Sequence, residues 1–306
     1  SASICLILSS SAIAQFESYQ SFYYTHHRPA GLQWQQLKTP HFRIIYPLAE
    51  DSLAYRAAKI LEQQYPITSE LTGGELNNFP VILNNYNDLS NGFVTSSNFR
   101  SEIDIAPFKG KAINPASGDW IEAVLPHELL HANHANVKVQ GSISAIGRIF
   151  SPDFARAFNF FPPVGVHEGL AVYHESQHVA EEGGRGNYTY FTNQYNAKLS
   201  SGKPWSAGQT FQTSTYQLPR NRHYIAGSDF THWLHKNYGD DISKRSIRYH
   251  LKYFFLGYGF ALKQTTGKWP KELHEDYLAD KQEEERQRKN AIGETTQDKH
   301  ILISSP

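Results

Sequence analysis

Between residues 41 and 106 short apolar runs alternate with polar turns. His41 to Tyr46 (HFRIIY), Phe79 to Leu83, Asn91 to Thr95 and Glu102 to Ala106 each read as a strand, the last two joined by a polar turn. Asp51 to Tyr65 instead shows helical spacing at Leu53, Ala57, Ile60 and Leu61. Asp51 or Ser52 can cap this helix and Pro66 is expected to limit it. Beyond residue 119 the helical period dominates. Asp119 can cap a helix, with Glu122 at the capping-box position. Gly165 to Gln177 predicts another. Helices are also predicted over 190–200, 226–238 and 243–256, and 270–290 reads as a charged, solvent-facing helix. Residues 15–35, polar and aromatic, lead into the domain, and Lys299 to Ser304 carries a small apolar strand pattern. A small N-terminal sheet with a helix, followed by a mostly helical half, is α+β. No internal repeat is visible.

Composition narrows the function classes. The 306 residues suffice for one large domain or two modest ones. Lys plus Arg equals Asp plus Glu at 29 each, so no global basic field exists to hold nucleic acid. No apolar run approaches the ~20 residues of a membrane-spanning helix. There is no Met, even at position 1, and the chain reads as part of a longer frame. Ile4 to Leu8, the serines at 9–11 and Ala12-Ile13-Ala14 predict that residues 1–14 are the remnant of a secretory signal peptide; a buried strand is the competing reading. The expected location is therefore outside the bacterial cytoplasm: periplasmic, outer-surface or secreted. The only cysteine, Cys5, falls inside that segment. Residues 15–306 then offer no disulfide, thiol nucleophile or thiolate ligand, and any metal must be held by His, Asp or Glu.

Residues 127–131 are His-Glu-Leu-Leu-His. On a helix, two His four apart share one face and can share one metal ion, with Glu128 on the adjoining side as the base for a water. Zinc lowers the pKa of such a water from 15.7 to roughly 7, within reach of a carboxylate at neutral pH. The competing reading is two surface His on an amphipathic helix. A catalytic zinc site needs a third protein ligand. Glu168, in Gly-Val-His-Glu-Gly-Leu-Ala-Val-Tyr-His-Glu-Ser, follows His131 after 36 intervening residues, enough for a loop and a returning helix. Gly169 and Ala171 are small, as close helix packing around a metal favours. Glu175, seven residues after Glu168 and on nearly the same face, is placed to hydrogen-bond a ligand His; otherwise it is a solvent-exposed Glu.

With these motifs on the page, the chain resembles the gluzincins, the HExxH…E branch of zinc peptidases. More narrowly it resembles the peptidase-like domain at the N-terminus of secreted bacterial proteins that continue into a TolB-like β-propeller. The stretches that carry the resemblance are HFRIIYP, FPVILNNYNDLSNGFVT, LPHELLHANH, HEGLAVYHES and YIAGSDFTHWLHKNYG, spanning roughly residues 40–280. The resemblance implies a thermolysin-like fold, with an edge strand over the cleft and two metal helices below. It implies a peptidase domain over 15–280, and a charged linker over 281–306 ahead of a propeller. It implies one Zn2+ on His127, His131 and Glu168. Two departures stand out. Pro126 precedes the first ligand and should kink or restart the helix. Val172 sits where thermolysin-like enzymes carry an Asp one turn after the third ligand.

Other residues weigh less. His134 as third ligand would need an HExxHxxH geometry, but the helix carries it ~4.5 Å further along the axis than His131. His167 points about 100° away from Glu168 and reads as a packing residue. Tyr224 is the first candidate donor for a developing oxyanion and His223 the second. Asn91–Thr95 and Glu102–Ala106 are candidates to supply an edge strand for a peptide backbone. Phe150 to Val164, rich in Phe and Pro, either walls the cleft, faces a partner domain or is a packed loop. The leading reading is a zinc peptidase acting on a peptide or protein, with Glu128 as base and then acid. The alternative is a non-catalytic, zinc-containing interaction module attached to a propeller.

Overall fold

In a computed structural model, residues 28–107, 119–138, 147, 149–179, 184–213 and 219–295 are described. The signal-like residues 1–14 and the Lys299–Ser304 strand pattern lie outside them. The N-terminal half is built on β1 (Trp34–Lys38), β2 (Phe42–Pro47), α1 (Asp51–Thr72), β3 (Phe79–Asn84), β4 (Ser90–Thr95) and β5 (Arg100–Ile105). The strands form one mixed sheet in the order β1-β2-β3-β5-β4. β2, β3 and β5 run parallel, with β1 and β4 antiparallel at the two edges. The parallel trio carries the alternating apolar residues, and Phe42, Ile44, Val81, Leu83 and Ile103 are buried against α1 and α2 (Trp120–Ala135). β1 was not expected as a strand: it begins at the end of the 15–35 segment and runs past it to Lys38. Its sequence, WQQLK, has little apolar alternation, and it joins the sheet through backbone pairing with β2.

The stop expected at Pro66 is corrected, and of the two outcomes expected at Pro126, a kink or a restart, the restart does not occur. α1 does not stop at Pro66; it runs on to Thr72 and closes on Gly73 in the left-handed region (φ 79°). Buried Thr68, Leu71 and Thr72 continue the packed face beyond the proline, which outweighs the roughly 3 kcal/mol that an internal proline costs. α2 likewise runs through Pro126 without restarting. The Asp119 side chain accepts from the Ile121 N–H at 2.9 Å, while Glu122 turns to Arg56 at 2.7 Å, so no reciprocal capping box forms.

The second half is helical: α3 (Pro152–Ala157), α4 (Val164–Gln177), α5 (Thr189–Ser200), α6 (Ala207–Phe211), α7 (Arg222–Tyr238), α8 (Ile242–Lys252), α9 (Gly257–Thr266) and α10 (Pro270–Thr295). α7 begins at Arg222 rather than 226, and the helix expected over 243–256 ends at Lys252 before a 3-10 turn. α10 passes residue 280 without a break. α3, α6 and α9 were not predicted: two span less than two turns, and α9 is set off by Gly257 and Gly267, both at positive φ. α4 and α7 cross at glycines. A Cβ on Gly169 would lie 2.4 Å from the Gly227 carbonyl carbon, and one on Gly227 would lie 2.4 Å from the Gly165 oxygen. That approach sets the depth at which α4 presents its polar face to α2. The architecture is α+β, and no helix among the described residues is long and apolar enough to cross a membrane.

Candidate metal centre

α2 and α4 bring three donor atoms together. Nε2 of His127 and Nε2 of His131 are 3.2 Å apart, and each is 3.2 Å from Oε2 of Glu168. The helical spacing of four residues sets the first distance, with the two rings nearly perpendicular at 83°. The glycine crossing behind α4 sets the other two. A tetrahedral ion with bonds of about 2.0–2.1 Å spaces its ligands by roughly 3.3 Å. The triangle therefore fits a metal ion, and two imidazoles with a carboxylate form a donor set that zinc and other first-row metals accept. His127 is buried, while His131 and Glu168 are half-buried.

Charge within the triangle is strongly coupled. Burial and Arg185 oppose a charged His127, but bonds to Glu168 and Glu175 win and raise it to about 9. Burial favours a neutral Glu168, yet the two imidazoles hold its carboxyl well below the usual range. Protons and a divalent cation compete for the same lone pairs, so a bound metal takes the place of that raised proton affinity. Glu128 points beside the triangle, 7% exposed; burial raises its pKa despite the neighbouring histidines.

Behind His127 stands a second layer. Glu175 Oε2 is 3.3 Å from His127 Nδ1. Arg185, in a short 3-10 turn (Arg185–Asn187), clamps that carboxylate: its backbone N–H and its Nε both donate to Glu175 Oε1, at 3.0 and 2.7 Å. Arg185 outweighs the effect of burial and holds Glu175 down to about 2. Arg185 Nη2 also lies 2.9 Å from His127 Nδ1. An imidazole that gives Nε2 to a metal keeps its proton on Nδ1, and of these two neighbours only Glu175 can accept it. Val172 is fully buried in the helical core, and the carboxylate beside His127 is that of Glu175, three residues further along α4. Sequence reasoning missed Arg185. Its only signal was Gly184, which stands at φ 82° and lets the chain fold back onto the Glu175 carbonyl, where a Cβ would lie 2.4 Å away.

His127 and Glu128 line a cleft with about 690 Å³ of space, open mouth included, which His131 and Glu168 do not line. One wall is Trp120, Ala123 and Val124 of α2 with Asn91 and Gly92 of β4; the other is Glu175, Arg185 and Tyr224. β4 lies so close to α2 that a Cβ on Gly92 would meet Val124 Cγ2 at 2.6 Å and Glu128 Cγ at 2.9 Å. Tyr224 sits in the first turn of α7, its ring 6.4 Å from that of His127 and under the Arg185 guanidinium at 5.0 Å. Burial, reinforced by the Glu168 charge, raises its phenol well above 10, so it remains a hydrogen-bond donor. His223 is buried and does not line the cleft. His134 is turned away from the triangle. Its Nδ1 is 3.3 Å from Nδ1 of His167, and His167 Nε2 is 3.1 Å from the Pro162 carbonyl, so the two rings tie α2 to α4. No known family model matches this chain, and no curated protein matches it.

Proposed function

We propose that the chain is a zinc-dependent peptidase of the gluzincin type, with a thermolysin-like arrangement of edge strand and metal helices, acting on an extended peptide. The observation that carries this reading is the 3.2 Å triangle of His127, His131 and Glu168, with a buried Glu128 beside it and a cleft that His127 and Glu128 line. Those three residues would hold the ion. When bound, zinc supplies Lewis acidity to a water and to the scissile carbonyl. Glu128 takes the proton of the attacking water and delivers it to the leaving amine, and its raised pKa suits both roles. The Tyr224 hydroxyl donates to the carbonyl oxygen as negative charge develops there. β4, an edge strand of the sheet among the described residues, lines the cleft through Asn91 and Gly92 and would offer backbone groups to a substrate strand.

An open cleft also disfavours the alternative of a closed, structural zinc site, which would carry a fourth protein ligand. The deciding experiment compares wild type with Glu128→Gln, measuring zinc by elemental analysis and cleavage of an unfolded protein substrate. Both should hold about one zinc, and the variant should lose at least ~100-fold in turnover. Equal activity in the variant overturns the role of Glu128. A zinc-loaded wild type that cleaves nothing favours the interaction module.

A further inference from the structure

Six apolar side chains stand together in the open away from the cleft: Ile149, Phe150, Phe154, Phe161, Phe255 and Leu256. Ile149 and Phe255 are 77% and 75% exposed. They come from two separate stretches, and ring contacts join the stretches from below. Phe154 packs on Phe158 at 5.4 Å between centroids, and Phe254 packs on Phe158 at 4.7 Å and on Phe161 at 5.0 Å. The base is anchored. The Asn98 N–H donates to Asp153 at 2.8 Å, and the Asn159 amide donates to the Ala135 carbonyl at 2.9 Å. Ala135 ends α2, about 12 Å along the axis from His127 and at the opposite end from Trp120, where the cleft opens. Single exposed apolar residues are ordinary, but a contiguous, anchored set marks an interaction surface.

Shape and charge say what covers it. Phe255, three-quarters exposed, and Leu256, more than half exposed, project from the surface. A bilayer interface receives projecting apolar side chains without shape complementarity. Residues 242–271, which lead into and out of the Phe255–Leu256 tip, contain seven Lys and Arg and no Asp or Glu, in a chain with no net charge. Lys244, Arg245, Lys268 and Lys271 pair with carboxylates from outside that stretch. Arg248, Lys252 and Lys263 have no such partner among the described residues. Lys252 stands immediately before the tip, its Nζ 5.2 Å over the Tyr253 ring. Exposed apolar side chains with the Lys252 cation beside them match anionic headgroups above an acyl boundary.

We propose that this face docks the protein on an anionic lipid surface, with Phe255 and Leu256 entering the interface and Lys252 at headgroup level. The inference is independent of the peptidase reading. The test is co-sedimentation of the full chain with vesicles of equal parts phosphatidylglycerol and phosphatidylcholine, and with phosphatidylcholine alone. Wild type should sediment with the mixed vesicles, less with the neutral ones, and less again as salt is added. The double variant Phe255→Ser, Leu256→Ser should weaken binding at least about tenfold. Lys252→Glu should remove the preference for the anionic vesicles. All three positions are exposed, so circular dichroism and the melting temperature should match wild type. Wild type left in the supernatant with both vesicle types overturns the proposal, as does binding that the variants leave unchanged. Self-association that the double variant abolishes, without vesicle binding, assigns the face to a second copy instead.

Discussion

Glu175 Oε2 lies 3.3 Å from Nδ1 of His127, on the far side of the ring from the nitrogen that faces His131 and Glu168. The two carboxylates are seven residues apart on α4, so one helix supplies both the oxygen beside the two imidazole Nε2 atoms and the carboxylate behind His127, which would orient that ring if it holds a metal. Losing such an acceptor typically costs 10–100-fold in metal affinity. Glu175→Ala should therefore weaken zinc binding by roughly that factor in competition with a chromogenic chelator. Unchanged affinity would mean that Glu175 serves only to hold Arg185.

Removing Glu168 should cost more than removing Glu175, because it deletes a vertex of the triangle rather than a support behind it. Elemental analysis of purified Glu168→Ala should show zinc sharply below wild type. If the variant keeps its full complement, the third ligand lies elsewhere. His134 is a poor substitute, since its ring is stacked on His167 at 4.6 Å.

Much of this centre was legible because its spacing is local. The spacing of four from His127 to His131 dictates a shared face once α2 forms, and the spacing of seven from Glu168 to Glu175 does the same on α4. The central strands were legible because their apolar residues alternate against a core. β1 was not, since Gln35 and Gln36 give no alternation and the strand is held by pairing with β2. Pro66 misled because its local cost was read without the packing that offsets it. Arg185 reaches Glu175 through a loop closure, which no periodicity encodes.

The α4–α7 crossing gives a stability prediction. A methyl group on Gly169 would stand 2.4 Å from backbone carbon of Gly227, and backbone cannot swing aside as a side chain can. Gly169→Ala should destabilise the protein by about 1–3 kcal/mol. It should also reduce zinc content, because Glu168 is the adjacent residue. Urea unfolding with chelator present measures the first effect alone. Wild-type stability in that experiment would mean the helices separate at no cost.

Acid should weaken the fold through histidines far from the metal. His235 is buried under Tyr173 with Nε2 2.8 Å from Ser243 Oγ, and His250 is buried among Phe254 and Tyr258. Burial lowers each to about 4; Asp240 and Asp241 pull His235 upward, His178 and His232 push it down, and the carbonyls of Gly257 and Phe158 pull His250 upward. The unfolded chain binds these protons near pH 6.5, while the folded chain binds them only near pH 4. Stability is thus complete above about pH 6.5 and is lost progressively as the pH falls towards 4, by on the order of 1–2 kcal/mol per histidine at pH 5. His235→Gln keeps a hydrogen-bonding group near Ser243 but cannot titrate. Its urea midpoint, measured with chelator, should fall less between pH 7 and pH 5 than that of wild type. An identical fall in both proteins would remove His235 from the account and leave the acid sensitivity to other groups.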